Sequence, residues 1–361
     1  MSATPPSALD IARASYRNIS LYAPDRRPCA VDLSDNTNLW GMPPVAERAI
    51  RNAATAAVTR YPELYSSRLK HALGDYLSVS PEHLVTGCGS DDVLDSAVRA
   101  FAEPGDRIAI ADPSFAMLPI LAHMNALAPV LVPLTESYDV DADAMLATDA
   151  RIMYLCSPNN PTGTAFTRRT VERIVERAPG IVIIDEAYAE FASSSLLDLV
   201  RDNPRVLVSR TLSKAFGLAG LRVGYGIGSA ELVAEVEKSR GPYKVNALAE
   251  AAAVAALTDG MEWVRQHIRL AVENRERLAA ALSGMGLPPL PSESNFVLVP
   301  VANAVGLALR MRERGVAIRP FDDLAPVSPA LRATNGNAIR ISVGPWHAIE
   351  ATLSALQASL G

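Results

Sequence analysis

The sequence predicts an α/β fold: a mostly parallel seven-stranded sheet lying between helices, with a smaller α+β domain beside it. Three observations predict it. Seven runs, at 84–86, 107–111, 130–133, 152–156, 181–184, 205–209 and 223–227, are apolar without alternation, as strands covered on both faces must be. Helical patterns at 91–102, 167–177 and 195–201 lie between them, the rhythm of strand–helix–strand units. Beyond residue 230 the pattern changes to long, Ala-rich helices laced with Arg and Glu.

Taken in order, residues 1–40 read as an N-terminal arm that packs on the small domain. Residues 41–240 form the large domain. Residues 113–135 carry no charge but include Pro119, His123, Asn125, Pro129 and Pro133. That mixture predicts a buried helix followed by a strand rather than a membrane span. The helical stretch 230–285 ends where two glycines and three prolines crowd residues 284–291. A strand (295–300), a helix (301–315), a short strand (317–320), a Pro-rich loop and a strand (338–343) complete a small domain spanning 241–361.

Composition narrows the function. The chain has 361 residues, 49% hydrophobic and 20% charged, which excludes a disordered protein. A net charge of −5 offers no basic surface for nucleic acid. Cys29, Cys88 and Cys156 form no paired motif, and the five histidines (His71, His83, His123, His267, His347) are scattered. No metal site is expected, and the cysteine usage fits a reducing cytoplasm. Asp10, Arg13 and Arg17 interrupt any apolar leader pattern.

Four loops at strand ends carry the chemistry. In residues 209–222 Lys214, one of only four lysines, follows an apolar run in a small, Gly-rich loop. No carboxylate occurs from 203 to 230, although Arg205, Arg210, Lys214 and Arg222 do. Uncompensated cations beside hydroxyls point to an anion such as phosphate, and a lysine among cations is a candidate amine nucleophile. A plain surface lysine is the other reading. Residues 86–92 (Thr-Gly-Cys-Gly-Ser-Asp-Asp) turn a strand into a helix, making either a phosphate cradle or an ordinary capped turn. The third glycine of a dinucleotide fingerprint is missing, and so is a P-loop lysine. Asp185 and Glu186 close the apolar run 181–184, as carboxylates that ligate something do. A magnesium site is the rival, without a P-loop to complete it. Residues 157–163 (Ser-Pro-Asn-Asn-Pro-Thr-Gly) form a polar turn after another buried run.

With these motifs the chain resembles the fold-type I, pyridoxal-phosphate-dependent aminotransferases of class I/II, and most of all the histidinol-phosphate aminotransferase family. Residues 35–41, 60–62, 87–92, 157–163, 185–188, 211–222, 295–297 and 339–344 carry the likeness in order, over nearly the whole chain. The resemblance implies that Lys214 bonds covalently to the cofactor and acts as acid and base. It implies that Asp185 pairs with the ring nitrogen, that Asn160 and Tyr188 hold the ring oxygen, and that Phe115 stacks on the ring. Gly89, Ser90, Asp91, Thr211, Ser213 and Arg222 would bind the phosphate. Tyr61 would reach that phosphate from the other subunit of a homodimer. Arg340 would clamp the substrate carboxylate, with Asn36, Tyr22 and Arg319 also at the substrate.

The implied activity is reversible amino transfer to a 2-oxo acid such as 2-oxoglutarate, with histidinol phosphate as donor in histidine biosynthesis. Arg319 would contact the substrate phosphate; a solvated strand end is its other reading. Thr37 and Leu39 stand where the family has Glu and Pro, Asp92 where Glu is usual and Cys88 where Asn is common. An aromatic or other amino-acid aminotransferase, or a threonine-phosphate decarboxylase-like enzyme, is the alternative.

Overall fold

The computed structural model describes residues 11–360 apart from 18, 22, 24, 26 and 58. After a short strand β1 (Val31–Asp32), seven strands form one sheet: β2 (Leu84–Cys88), β3 (Arg107–Asp112), β4 (Ala128–Pro133), β5 (Ile152–Cys156), β6 (Ile181–Asp185), β7 (Val206–Thr211) and β8 (Val223–Ile227). Their order is β2-β8-β7-β6-β5-β3-β4. β8 runs antiparallel to both neighbours, and the other pairs are parallel. Each strand falls on one of the seven apolar runs, and the mixed α/β architecture is the one expected.

The absence of alternation has the predicted cause. Met153, Leu155, Val182, Ile184, Val206 and Val208 pack into one core cluster, while Ile152, Tyr154, Cys156, Ile183 and Leu207 pack into another. Successive side chains point to opposite faces, and both faces are covered except at the edge strand β4, where Leu131 is 51% exposed. Residues 113–135 form the helix Met117–Met124 followed by β4. No helix among the described residues is long and apolar enough to cross a membrane.

A second, antiparallel sheet has the order β11-β12-β9, formed by β9 (Phe296–Pro300), β11 (Arg319–Phe321) and β12 (Ala338–Ser342). β10 (Val316–Ala317) pairs in parallel with β1, which ties the arm to this part of the chain. The single strand expected at 317–320 is therefore two strands. Ile318 lies between them because β10 pairs with the arm and β11 with β12. The stretch 230–285 is three helices, Ala230–Ser239, Ala247–Thr258 and Met261–Gly284. Gly241 and Pro242 interrupt the first break. At the second, Gly260 sits where a Cβ would lie 2.7 Å from the Ala256 oxygen. In the loop before β12, Ser328 caps a short helix, Pro329–Ala333, by accepting from the Leu331 N–H.

Two expectations fail for one reason. Residues 195–201 were expected to be helical, but the helix is only Leu199–Asp202. The Leu196 N–H donates to Glu186 Oε1 at 2.6 Å, and the Ser195 hydroxyl donates to both Glu186 oxygens. Those donors are engaged with a buried carboxylate. The same carboxylate corrects the reading of Arg210 as an uncompensated cation. Arg210 Nε and Nη2 both donate to Glu186 Oε2, at 3.0 and 2.7 Å, with both residues buried. The counter-charge lies just past the end of β6, outside the window of sequence that seemed to lack one. Arg205, at the opposite end of β7, donates to the Ala178 carbonyl instead.

Removing one member of a buried pair strands the other's charge, which typically costs about 3–5 kcal/mol, against about 0–1 kcal/mol for an exposed pair. Glu186→Ala should therefore lower the denaturant midpoint of the apoprotein far more than Asp198→Ala, which removes the exposed partner of Arg168. Equal losses would show that the Glu186–Arg210 pair has no such role.

Candidate active site

The loops at the carboxyl edge of the parallel strands converge on a cavity of about 600 Å³. Such edges gather loops because each strand there hands the chain to a helix. β2 delivers Ser90 and Asp91, β3 delivers Phe115, and β5 delivers Asn160. β6 delivers Asp185 and Tyr188, and β7 delivers Thr211, Ser213 and Lys214. Arg222 precedes β8 and lies at the same edge because β8 runs the other way. Asn36 and Arg340 close the cavity from the segment after β1 and from β12. A larger cleft of about 740 Å³, between 76–80 and 195–201, contains none of the predicted site residues.

Asp185 is 3% exposed. Burial raises its carboxyl group to about 6, against hydrogen bonds that lower it. The Tyr154 hydroxyl donates to Oδ2 at 2.7 Å and the Ala187 N–H to Oδ1 at 3.1 Å. Lys214 lies across the same cavity. Its pKa is lowered to about 8, first by burial and then by the charge of Arg340, with Arg222 adding to it. Burial outweighs the neighbouring cations that the sequence set beside it. Lys70, Lys238 and Lys244 each bind a carboxylate, whereas Lys214 Nζ lies 3.3 Å from the Asp35 carbonyl oxygen.

One end of the cavity is built for an anion. The helix Ser90–Phe101 begins there, and the first N–H groups of a helix have no partners within it. Thr211 Oγ1 donates to Ser213 Oγ at 2.9 Å, so two hydroxyls sit together. Arg222 adds a guanidinium, which lies 3.3 Å from Asp91. Gly89 has φ +84°, and a Cβ there would come within 2.2 Å of Arg222 Nη2. Only glycine lets the guanidinium approach the helix start so closely.

At the other end, Arg340 is 8% exposed. Its Nη1 donates to Asn160 Oδ1 at 2.6 Å and its Nη2 to the Ser34 carbonyl at 2.8 Å. Asn36 has φ +56°. Its Nδ2 donates to the Tyr188 hydroxyl at 3.2 Å, and its N–H to Ser342 Oγ at 2.8 Å. Asn159, beside Asn160, joins two loops: its Nδ2 donates to the Pro113 carbonyl and its Oδ1 accepts from Ser114.

Among the described residues, Tyr61 and Arg319 do not line this cavity, and Gly89 stands behind its lining, next to Ser90. Tyr61 is 82% exposed and stacks on Tyr243, with centroids 4.8 Å apart. Arg319 lines a neighbouring cleft of about 450 Å³ with Ser20, Leu21 and Arg312. Tyr22 lies outside the described residues. Sequence reasoning missed Tyr154, whose signal was a phenol inside an otherwise apolar strand, where a hydroxyl needs a partner.

Comparison with known proteins identifies the family and the fold. A family model described as aminotransferase class I and II matches residues 29–356. The chain is 39% identical over 340 residues to the histidinol-phosphate aminotransferase of Roseiflexus castenholzii, covering 91% of this chain and 89% of that one. It is 35% identical over 349 residues to an aromatic amino acid aminotransferase of Corynebacterium glutamicum, covering 94% and 99%. The crystal structure of Sinorhizobium meliloti histidinol-phosphate aminotransferase in complex with pyridoxal-5'-phosphate superposes with a TM-score of 0.87 at 27% identity, covering 98% of each chain.

A lysine titrating near 8 is neutral, and so nucleophilic, at a pH where ordinary lysines are still charged. Trinitrobenzenesulfonate should label the apoprotein first at Lys214, with a rate that rises through a midpoint of about pH 8. Peptide mapping that finds all four lysines labelled alike, with midpoints above 10, would contradict this environment.

Proposed function

Because the chain belongs to the class I and II aminotransferases and so is a pyridoxal-phosphate-dependent aminotransferase, we propose that its amino donor is histidinol phosphate, the donor of histidine biosynthesis, and its acceptor a 2-oxo acid such as 2-oxoglutarate. One observation carries the assignment of the site. A reactive amine, a buried acid and an anion cradle share one cavity. Their donor set matches the three parts of the cofactor: an aldehyde, a ring nitrogen and a phosphate. The cradle at Gly89 suits a phosphate, since the missing Cβ lets the Arg222 guanidinium reach the helix start where an anion would sit.

In this reading Ser90, Thr211, Ser213 and Arg222 hold the phosphate, with Gly89 and Asp91 at the helix start. Phe115 covers the ring, and Asn160 and Tyr188 hold its oxygen. When bound, the cofactor supplies a carbonyl that bonds to amines and a ring that accepts the electron pair of a broken Cα–H bond. Asp185 keeps the proton on the ring nitrogen, because a carboxylate beside a cation favours the charged form. Lys214 Nζ takes the proton from the donor's α-carbon and later gives it up, a role suited to an amine poised near neutrality. Arg340 binds the carboxylate of amino-acid and 2-oxo-acid partners.

Support for a phosphorylated donor comes from register. Arg319 on β11 stands directly opposite Arg340 on β12, and residues opposite one another in an antiparallel pair share a face. Ser34 lines the Arg319 cleft and its carbonyl accepts a hydrogen bond from Arg340, so this residue borders the environments of both arginines. The second reading is an aromatic amino-acid aminotransferase. Phe296 and Phe321, with ring centroids 5.2 and 5.7 Å from the Arg340 guanidinium carbon, favour it.

We also read the enzyme as a cytoplasmic homodimer, divided into an arm (1–40), a large domain (41–240) and a small domain (241–361). Three free cysteines fit the compartment. The exposed group Tyr61, Leu64, Tyr65 and Tyr243 is the surface from which Tyr61 would reach the partner's phosphate.

A panel of donors, scored by conversion of bound cofactor to its aminated form, tests the substrate. Histidinol phosphate should convert it fastest, and Arg319→Ala should raise the KM for that donor at least tenfold while leaving phenylalanine unchanged. Faster conversion by aromatic amino acids, with Arg319→Ala silent, would select the second reading. Lys214→Ala should abolish turnover with every donor.

A further inference from the structure

Tyr154 sits at the centre of β5, fully buried. Its ring packs in the core cluster with Ile152 and Ile183. Its hydroxyl donates to Asp185 Oδ2 at 2.7 Å, across a strand pair in which Cys156 stands opposite Asp185. The Ala187 N–H donates to the other oxygen. Both carboxylate oxygens therefore carry a donor from the protein, which sets the plane of the group and leaves the remaining lone pairs for whatever the cavity holds.

Resting on the reading of Asp185 as the partner of the cofactor's ring nitrogen, we propose that Tyr154 is a positioning residue that keeps Asp185 ionised and aimed, and so keeps the proton on that nitrogen. Away from water, a carboxylate and a protonated ring nitrogen can relax into two neutral groups by passing the proton across, because burial disfavours both charges. A phenol donor opposes this. Hydrogen bonds to an ionised acceptor are roughly twice as strong as those to a neutral one, so the Tyr154 hydroxyl stabilises the carboxylate more than the acid. Losing it makes Asp185 the stronger base, and the proton moves toward the acid and away from the ring.

Tyr154→Phe removes one oxygen and keeps the ring that fills the core. With cofactor labelled with nitrogen-15 at the ring, the holoenzyme of the unaltered protein should give the shift of a protonated nitrogen. The Tyr154→Phe holoenzyme should move toward the unprotonated value. The Kd for pyridoxal phosphate should rise about ten- to hundredfold, equivalent to ~1.4–2.8 kcal/mol. In an Asp185→Asn background the same substitution should change neither quantity, because the hydroxyl acts through the carboxylate. An unchanged nitrogen shift, or an equal loss of affinity in both backgrounds, would overturn the proposal and leave Tyr154 a packing residue. 3-Fluorotyrosine at 154 keeps the shape and has the more acidic hydroxyl. It should not weaken cofactor binding, and weakening would overturn the proposal independently of how the phenylalanine variant folds. An unprotonated nitrogen in the unaltered holoenzyme, or no cofactor binding at all, would instead remove the reading of Asp185 itself.

Discussion

Asp185 ends the central strand β6 with almost no contact with water, and burial raises its carboxyl group from 3.8 to about 6. A shift of that size corresponds to ~3 kcal/mol. The sign follows from proton binding. Between those two pH values the folded chain holds a proton that the unfolded chain has released, so the stability of the empty fold declines as pH rises through that window. At neutral pH the fold carries this cost in full. A positive nitrogen opposite the carboxylate would offset it, which is the relief the proposed cofactor would bring. Lys214 shows the converse: burial lowers its pKa to about 8, and an amine that is easily neutralised bonds readily to a carbonyl.

Asp185, the last residue of β6, and Glu186, which follows it, face opposite ways with different chemistry. Asp185 lines the cavity, while Glu186 turns to the other face and meets Arg210. On β7 the same alternation sends Thr211 to the cavity and Arg210 behind it. The pleat thus places a reactive face and a structural ion pair one residue apart. Glu186 also accepts from Ser195 and Leu196, so one carboxylate fastens the segment after β6 to β7. Gly217 continues this tethering. With φ +68° and a Cβ position 1.9 Å from the Gly41 oxygen, it lets the loop after Lys214 lie directly against the backbone of Gly41.

Local features were legible in the sequence, and features made by distant pairing were not. Each strand announced itself as an apolar run, and each polar loop at its end could be read beside it, so Ser90, Asn160, Asp185 and Lys214 were found together. Arg210 was misread because its partner lies 24 residues earlier, and charge counted along a window is not charge counted in space. Tyr154 was passed over because a tyrosine in an apolar run looks like core, and only the register between β5 and β6 turns its hydroxyl toward Asp185. The strand expected at 317–320 divided for a similar reason, since β1 and β12 compete for its two halves.

The same distinction explains why the cofactor is easier to read than the substrate. The residues assigned to the cofactor come mostly from loops of one sheet, whose geometry follows from parallel pairing alone. The residues assigned to the substrate come from separate parts of the chain: Asn36 after β1, Arg319 on β11 and Arg340 on β12. Asn36 and Arg340 are joined through Asn295, which donates to the Asn36 carbonyl, Ser342, which bonds to Asn36, and Ser34, which accepts from Arg340, while Arg319 stands opposite Arg340 in the next cleft. A change anywhere along those contacts would move the two arginines relative to Lys214 without disturbing the phosphate cradle. On the proposed assignment, one cofactor site could serve different donors, and discrimination between a phosphate and an aromatic ring would come from how the β11–β12 pair is seated against the segment around β1.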